Sequence, residues 1–130
     1  MVMLNPSTAD AEKDDPTIRR CIAFASRERF GGVEILNLFA FRATAPADLK
    51  AAADPIGPDN DRHLRALFAR HRTIVAAWGT HGGYRGRAEA VLGMAAGLGV
   101  TLTCLGRTAA GYPRHPLYLA GDSPILPFPR

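Results

Sequence analysis

The sequence predicts an α/β fold, with three layers arranged helix, sheet, helix around a central, mostly parallel sheet of four strands. Three observations carry that reading. Short apolar runs alternate with segments of helical spacing in the order β-α-β-α-β-α-β, the pattern of strands joined by right-handed crossovers. Glycine, proline or charged residues punctuate the apolar runs. The runs then empty into loops rich in polar and aromatic side chains, and open α/β sheets build ligand sites beyond the carboxyl ends of their strands.

Val2, Met3 and Leu4 read as the first strand. It stops at Asn5-Pro6, because proline donates nothing to a ladder and holds the residue before it extended. Ser7, Thr8 and Asp10 make a dense polar cluster after it. Asp15 is then a good N-cap with Pro16 at the first helical position, and Ile18, Cys21, Ile22 and Ala25 recur as one buried stripe. Arg19, Arg20 and Arg27 fall off that stripe.

Residues 33–41, VEILNLFAF, are an almost unbroken apolar run and read as a central strand buried on both faces. Asn37 interrupts it, and a polar amide there needs partners. It either satisfies a neighbouring backbone or points its amide at a ligand near the strand's exit. A long connection follows, with a short helix around Asp48 to Ala53. Asp59-Asn60-Asp61 cap the next helix, on which Leu64, Leu67, Phe68 and His71 keep helical spacing, with His71 a helix-end residue.

Residues 73–78, TIVAAW, are the third strand, and they open into the glycine-rich loop 79–86. Its glycines permit a positive φ or a close approach of backbone to a ligand. Residues 87–97 form the third long helix, with Ala88, Val91, Leu92, Ala95 and Ala96 on the buried side, and residues 100–105 form the fourth strand. Beyond it, two prolines bracket Arg114-His115 and stiffen the loop that presents them, and the proline-bearing tail 120–130 lies along the surface.

At 130 residues the chain is a single domain, 1–130, large enough to bury a core without disulfide or metal staples. Because its first strand is also its first residues, a further N-terminal segment is expected in a longer form. With 47% apolar and 22% charged residues it has an ordinary globular composition. No run reaches the length of a membrane span and no leader precedes the first strand, so no membrane partner is expected and the location is cytoplasmic. Cys21 and Cys104 sit in apolar segments as small core residues, too few for a structural zinc or iron–sulfur site; no cofactor or metal is expected. The net charge is +4, with 14 arginines against 2 lysines, which leans weakly towards nucleic acid or a nucleotide.

In a parallel arrangement the carboxyl ends of the four strands gather loops 5–10, 37–42, 78–85 and 107–118 on one edge. That edge lacks a nucleophile elbow, a Walker loop and metal-ligand spacing. It carries the amides of Asn5 and Asn37, the carboxylate of Asp10, His115, several arginines and an aromatic set that includes Phe39, Trp78 and Tyr118. Amides, flat aromatic walls and arginines for phosphate are what nucleobase recognition uses.

The blocks LNPSTAD, DDPTIRR, NLFAFR, AWG and HPLYL, present in this order, resemble a bacterial family of unknown function, a likeness that brings no activity with it. More distantly, the order of short motifs resembles the uracil-DNA glycosylase superfamily. Asn5-Pro6 is similar to its water-positioning motif, Leu36-Asn37 to its base-reading strand, Trp78-Gly79 to its Trp-Gly strand end, and His115-Pro116-Leu117-Tyr118 to its last loop. The resemblance implies a uracil-DNA-glycosylase-like fold and cleavage of an N-glycosidic bond after base flipping. Asn5 would hold the water, Asp10 would supply a carboxylate, and His115 would stabilise charge on the base. Asn37, Phe39 and Trp78 would bind the base. Arg42, Arg107 and Arg114 would hold phosphates, with Leu117 or Tyr118 filling the gap in the stack. Asn5 stands where the most active members have Asp, so it orients water without accepting its proton. The alternative is a catalytically inactive module of the same fold that binds a nucleotide or nucleic acid. The sequence leaves the oligomeric state open.

Overall fold

The computed structural model describes residues 1–6, 16–43 and 45–128. The strands are β1 (Val2–Met3), β2 (Leu36–Asn37), β3 (Val75–Ala76), β4 (Leu102–Cys104) and β5 (Leu126–Phe128). The helices are α1 (Pro16–Arg27), α2 (Pro46–Ala51), α3 (Asn60–Arg70) and α4 (Arg87–Gly97). Two 3-10 segments, Thr80–Gly86 and Pro116–Tyr118, follow β3 and β4. The order across the sheet is β2-β1-β3-β4-β5, with parallel pairing from β2 to β4 and an antiparallel β5. This is the mixed α/β architecture with a mostly parallel sheet that the alternation of patterns predicts.

Registers Val2↔Leu36 and Met3↔Asn37 separate the two faces of the sheet. Val2, Ala76 and Cys104 turn towards α3 and α4, joining Leu64, Leu67 and Phe68 with Ala88, Val91 and Ala95 in the main core. Met3 and Ala77 turn the other way and, among the described residues, cluster with Cys21 of α1, with Met1, Val33 and Ile35 partly buried around them. The core is therefore lopsided. Among the described residues one layer holds α3 and α4, the other α1 over part of the sheet. A cavity of about 230 Å³ is lined from the ends of both α1 and α3, by Phe24, Val33, Glu34, Leu67, Ile74 and Ile125 among others.

Three expectations are corrected. The run 33–41 supplies an edge strand: β2 pairs only with β1, and both its residues are half-buried. The run is apolar because Leu38 and Phe39, just past the strand, drop fully into the main core. The tail adds a fifth strand rather than lying on the surface, since Phe128 packs edge-on against Trp78 with ring centroids 5.6 Å apart. Proline in that strand is tolerated because β5 is at the edge. On α1 the buried pair is Cys21 and Phe24, while Ile18 and Ile22 are exposed. The helix is rotated so that Arg20 and Arg27, rather than Ile18 and Ile22, approach the rest of the protein. The N-cap expected at Asp15 lies outside the described residues.

Glu34, ahead of β2, takes Arg70 and His71 from the end of α3, with His71 Nε2 at 2.8 Å. The hydrogen bond from His71, and then Arg70, hold its carboxyl below the ordinary glutamate value. A folded value below the unfolded one means that the contribution is complete above the unfolded pKa of about 4.3 and fades as pH falls through the folded value. Glu34→Gln is therefore expected to lose less stability than wild type when urea midpoints are compared at pH 6 and pH 3. The difference is below about 1 kcal/mol because the pair is solvated.

Candidate functional site

The sheet order reverses at β1, which has β2 on one side and β3 on the other. In open α/β sheets this is the switch point whose carboxyl-end crevice takes ligands. Three groups of residues gather around that edge.

The first lies at the exits of β1 and β2. The Asn5 Nδ2 group donates to the carbonyls of Pro6 (3.1 Å), Phe41 (3.3 Å) and Ala43 (2.8 Å). Two amide protons shared among three acceptors make Asn5 a strut that ties the loop after β2 to the end of β1. The strut sets Arg42, exposed, between the two anchored carbonyls. Asn37 is half-buried; its carbonyl accepts from Asn60 Nδ2 at 2.9 Å, while its side-chain amide makes no hydrogen bond among the described residues. Asp10 lies outside the described residues.

Beneath this group is a buried arginine. Arg87, the first residue of α4, is only 4% exposed. Its Nε donates to the Leu38 carbonyl at 2.8 Å and its Nη2 to Asp61 Oδ1 at 2.6 Å. Asn60 Nδ2 reaches the same Leu38 carbonyl at 2.9 Å. Arg87, Asn60 and Asp61 thus join the starts of α3 and α4 to the end of β2. A cation in the first turn of a helix opposes the helix dipole. That misplacement is the sequence signal that could have marked Arg87 for a task.

The second group follows β3. Trp78 is buried and Phe39 wholly so. Both are core residues in this structure, not an open wall for a base. The glycine-rich loop folds as the first 3-10 segment and lies directly on the indole: a Cβ at Gly82 would sit 2.1 Å from Trp78 Cδ1. The close approach that glycine permits is to tryptophan. Tyr84, with its ring 5.9 Å from that of Phe39, donates its hydroxyl to the Lys50 carbonyl of α2 at 3.0 Å.

The third group follows β4. Residues 106–114 form a small lobe closed by an antiparallel bridge between Arg107 and Pro113, and Gly79 donates to the Pro113 carbonyl at 2.9 Å, joining the lobe to the exit of β3. Arg107 is half-buried and directs its guanidinium at the Pro127 carbonyl, which makes it a brace for β5. Arg114 is exposed, with its Nε on the Arg107 carbonyl at 3.0 Å. His115 caps the second 3-10 segment by accepting Leu117 N–H on Nδ1 at 3.2 Å. A neutral His115 therefore carries its proton on Nε2. Its ring lies 5.7 Å from that of Tyr118.

Pro116 is buried, whereas Leu117 is 42% and Tyr118 75% exposed. Sequence reasoning missed what holds this loop. Arg20 donates to the carbonyls of Pro116 and Leu119, and Arg27 to those of Gly121 and Ser123. Both arginines lie on the half-buried side of α1, and no local sequence pattern distinguishes such a clamp from a solvated charge.

The described polar site residues follow successive strands in separate groups: among the described residues, Asn5, Asn37 and His115 share no hydrogen bond. Among the described residues, none of the expected ones lines the 230 Å³ cavity. Among the described residues no helix is long and apolar enough to cross a membrane.

A family model described as a protein of unknown function, DUF1643, matches residues 1–117. No curated protein and no solved structure matches the chain.

Proposed function

We propose that this chain, which belongs to the DUF1643 family of proteins of unknown function, binds nucleic acid across the carboxyl edge of its sheet on a uracil-DNA-glycosylase-like frame. The observation that carries the reading is the Leu117-Tyr118 step, exposed on a loop that α1 clamps through Arg20 and His115 caps. A rigidly held, outward aromatic loses little entropy when it stacks on a base, and such stacking contributes about 1–3 kcal/mol. Arg114, exposed on the same loop, and Arg42, exposed after β2, supply charge for phosphates. The Asn5 amide nitrogen is engaged by backbone carbonyls, which favours binding over hydrolysis.

Cleavage of an N-glycosidic bond is the second reading, and the tautomer of His115 favours it. A proton held on Nε2 is the donor that charge developing on a departing base requires.

Fluorescence anisotropy with labelled single- and double-stranded oligonucleotides tests the first reading. Tyr118→Ala is expected to weaken binding about tenfold, in line with the loss of one stacked base. Arg114→Ala is expected to lower the salt dependence by about one phosphate contact. Absence of binding to either oligonucleotide at low salt would refute the proposal. Mass spectrometry of released bases, with wild type beside His115→Ala, decides the second reading.

A further inference from the structure

We propose that Lys50, His81, Tyr84 and Arg85 form a binding site for a phosphate group, where α2 and the segment after β3 meet. This site is separate from the Tyr118 loop and does not depend on it. Lys50 Nζ lies 3.2 Å from His81 Nδ1 and 5.7 Å from the centre of the Tyr84 ring. The Arg85 guanidinium lies 5.5 Å from the same ring centre. Two full cations are thus held over one aromatic ring, which attracts each of them through its quadrupole. The Tyr84 hydroxyl on the Lys50 carbonyl fixes the two segments together.

Two features separate this cluster from an ordinary solvated patch. Elsewhere four arginines find carboxylates: Arg62 with Asp59, Arg70 with Glu34, Arg87 with Asp61 and Arg27 with Glu28. Among the described residues no carboxylate reaches salt-bridge distance of Lys50 or Arg85. Arg85 Nη1 donates to the Ala53 carbonyl at 3.5 Å and Lys50 Nζ meets the His81 ring, contacts that leave both positive charges unneutralised for a ligand.

The second feature is the backbone of Arg85, which holds φ 54° and ψ 26°. A non-glycine residue takes this left-handed conformation at a cost that glycine would avoid. Strain kept at a charged side chain points to a task for that side chain. Lys50 donating to His81 Nδ1 leaves a neutral His81 with its proton on Nε2. The cluster then offers an ammonium, an imidazole N–H and a guanidinium, with the Tyr84 hydroxyl proton already spent on the Lys50 carbonyl. That donor set suits the oxygens of a phosphate.

The test is a heteronuclear NMR titration of the whole protein with three probes: a nucleoside 5′-monophosphate, the same nucleoside without phosphate, and a single-stranded oligonucleotide with a 5′-hydroxyl. The monophosphate is expected to shift the His81, Arg85 and Gly86 resonances, and the bare nucleoside to leave them in place. Shifts with the oligonucleotide as well assign the site to backbone phosphates; shifts with the monophosphate alone assign it to a free or terminal one. Lys50→Ala and Arg85→Gly are each expected to weaken the response at least fivefold. Arg85→Gly is also expected to raise the melting temperature, because it relieves the left-handed strain. A gain in stability combined with a loss of binding is an outcome that a purely structural role does not produce. No shift with either phosphate probe, or shifts undiminished in both variants, would overturn the proposal.

Discussion

Replacing Arg87 by alanine is expected to remove about 3 kcal/mol of folding free energy, seen as a lowered urea midpoint. The estimate starts from two charge-assisted hydrogen bonds, to the Leu38 carbonyl and to Asp61, made by a side chain only 4% exposed. Hydrogen bonds to charged groups contribute about 1.5–3 kcal/mol each when buried, and the aliphatic stem adds packing that alanine cannot replace. Asn60 remains on the Leu38 carbonyl, so the acceptor is not orphaned and the loss stays near the lower end of the combined range. Asp61→Asn isolates the ion pair. Because Asp61 is 43% exposed, that change is expected to cost only about 1 kcal/mol. Equal losses in the two variants would mean that the pair, rather than burial of the guanidinium, supplies the stability. Against a total of about 5–15 kcal/mol for a domain of this kind, the alanine variant is a severe one.

Gly82→Ala is expected to cost about as much, by a different route. The new methyl would sit 2.1 Å from Cδ1, 2.7 Å from Nε1 and 2.9 Å from Cγ of Trp78. The indole cannot retreat, since it is buried and braced edge-on by Phe128. The backbone of residues 80–86 must shift instead. Overpacking of this kind costs about 1–3 kcal/mol and occasionally more. Trp78 is the single tryptophan in the chain, so its fluorescence reports the displacement directly. A red-shifted emission and a lower melting temperature are expected together. Gly31→Ala is the control: nothing lies within 4 Å of a Cβ there, and an effect under about 0.5 kcal/mol is expected. An unchanged emission spectrum in Gly82→Ala would mean that the segment after β3 does not rest on the indole.

Periodicity made most of the fold legible. The helical spacing of Leu64, Leu67 and Phe68, and of Ala88, Val91 and Ala95, reports the faces that α3 and α4 bury. Two short helical repeats side by side on one sheet leave little choice of layer. The residues misread were those whose surroundings are set by distant chain. An apolar run such as 33–41 is the same whether its strand is central or, as here, dips into the core after a short edge pairing. The prolines of the tail argue against a strand until a free sheet edge is available for one. The α1 stripe was ambiguous because Ile18 and Ile22 compete with Phe24 as apolar candidates. The cations Arg20 and Arg27 decide the rotation by binding carbonyls almost a hundred residues away.

The candidate site was legible as a location and less so as a set of contacts. Polar residues after successive strands mark a common edge. Their partners could not be read, because an amide such as Asn5 looks the same in sequence whether it faces a ligand or three backbone carbonyls. Aromatic residues carry the same ambiguity: Phe39 and Trp78 are buried while Tyr118 is exposed, and no local pattern separates them.

The ends of the sheet have a consequence for self-association. An unpaired strand edge is a template on which another chain can add its own strand. On β5, Pro127 stands opposite Thr103. Because Thr103 N–H is directed to Ile74 of the neighbouring strand, the polar groups of Pro127 face outwards. It has no N–H to offer, and its carbonyl is taken by Arg107. On β2, Leu36 and Leu38 direct their N–H groups to β1, so the carbonyl of Asn37 faces outwards, and Asn60 takes that one. A side chain from elsewhere in the fold thus occupies the outward acceptor at each end, on strands only two and three residues long. Strand addition at either end therefore meets an outward carbonyl that is already taken, without the edge lysines that commonly discourage it.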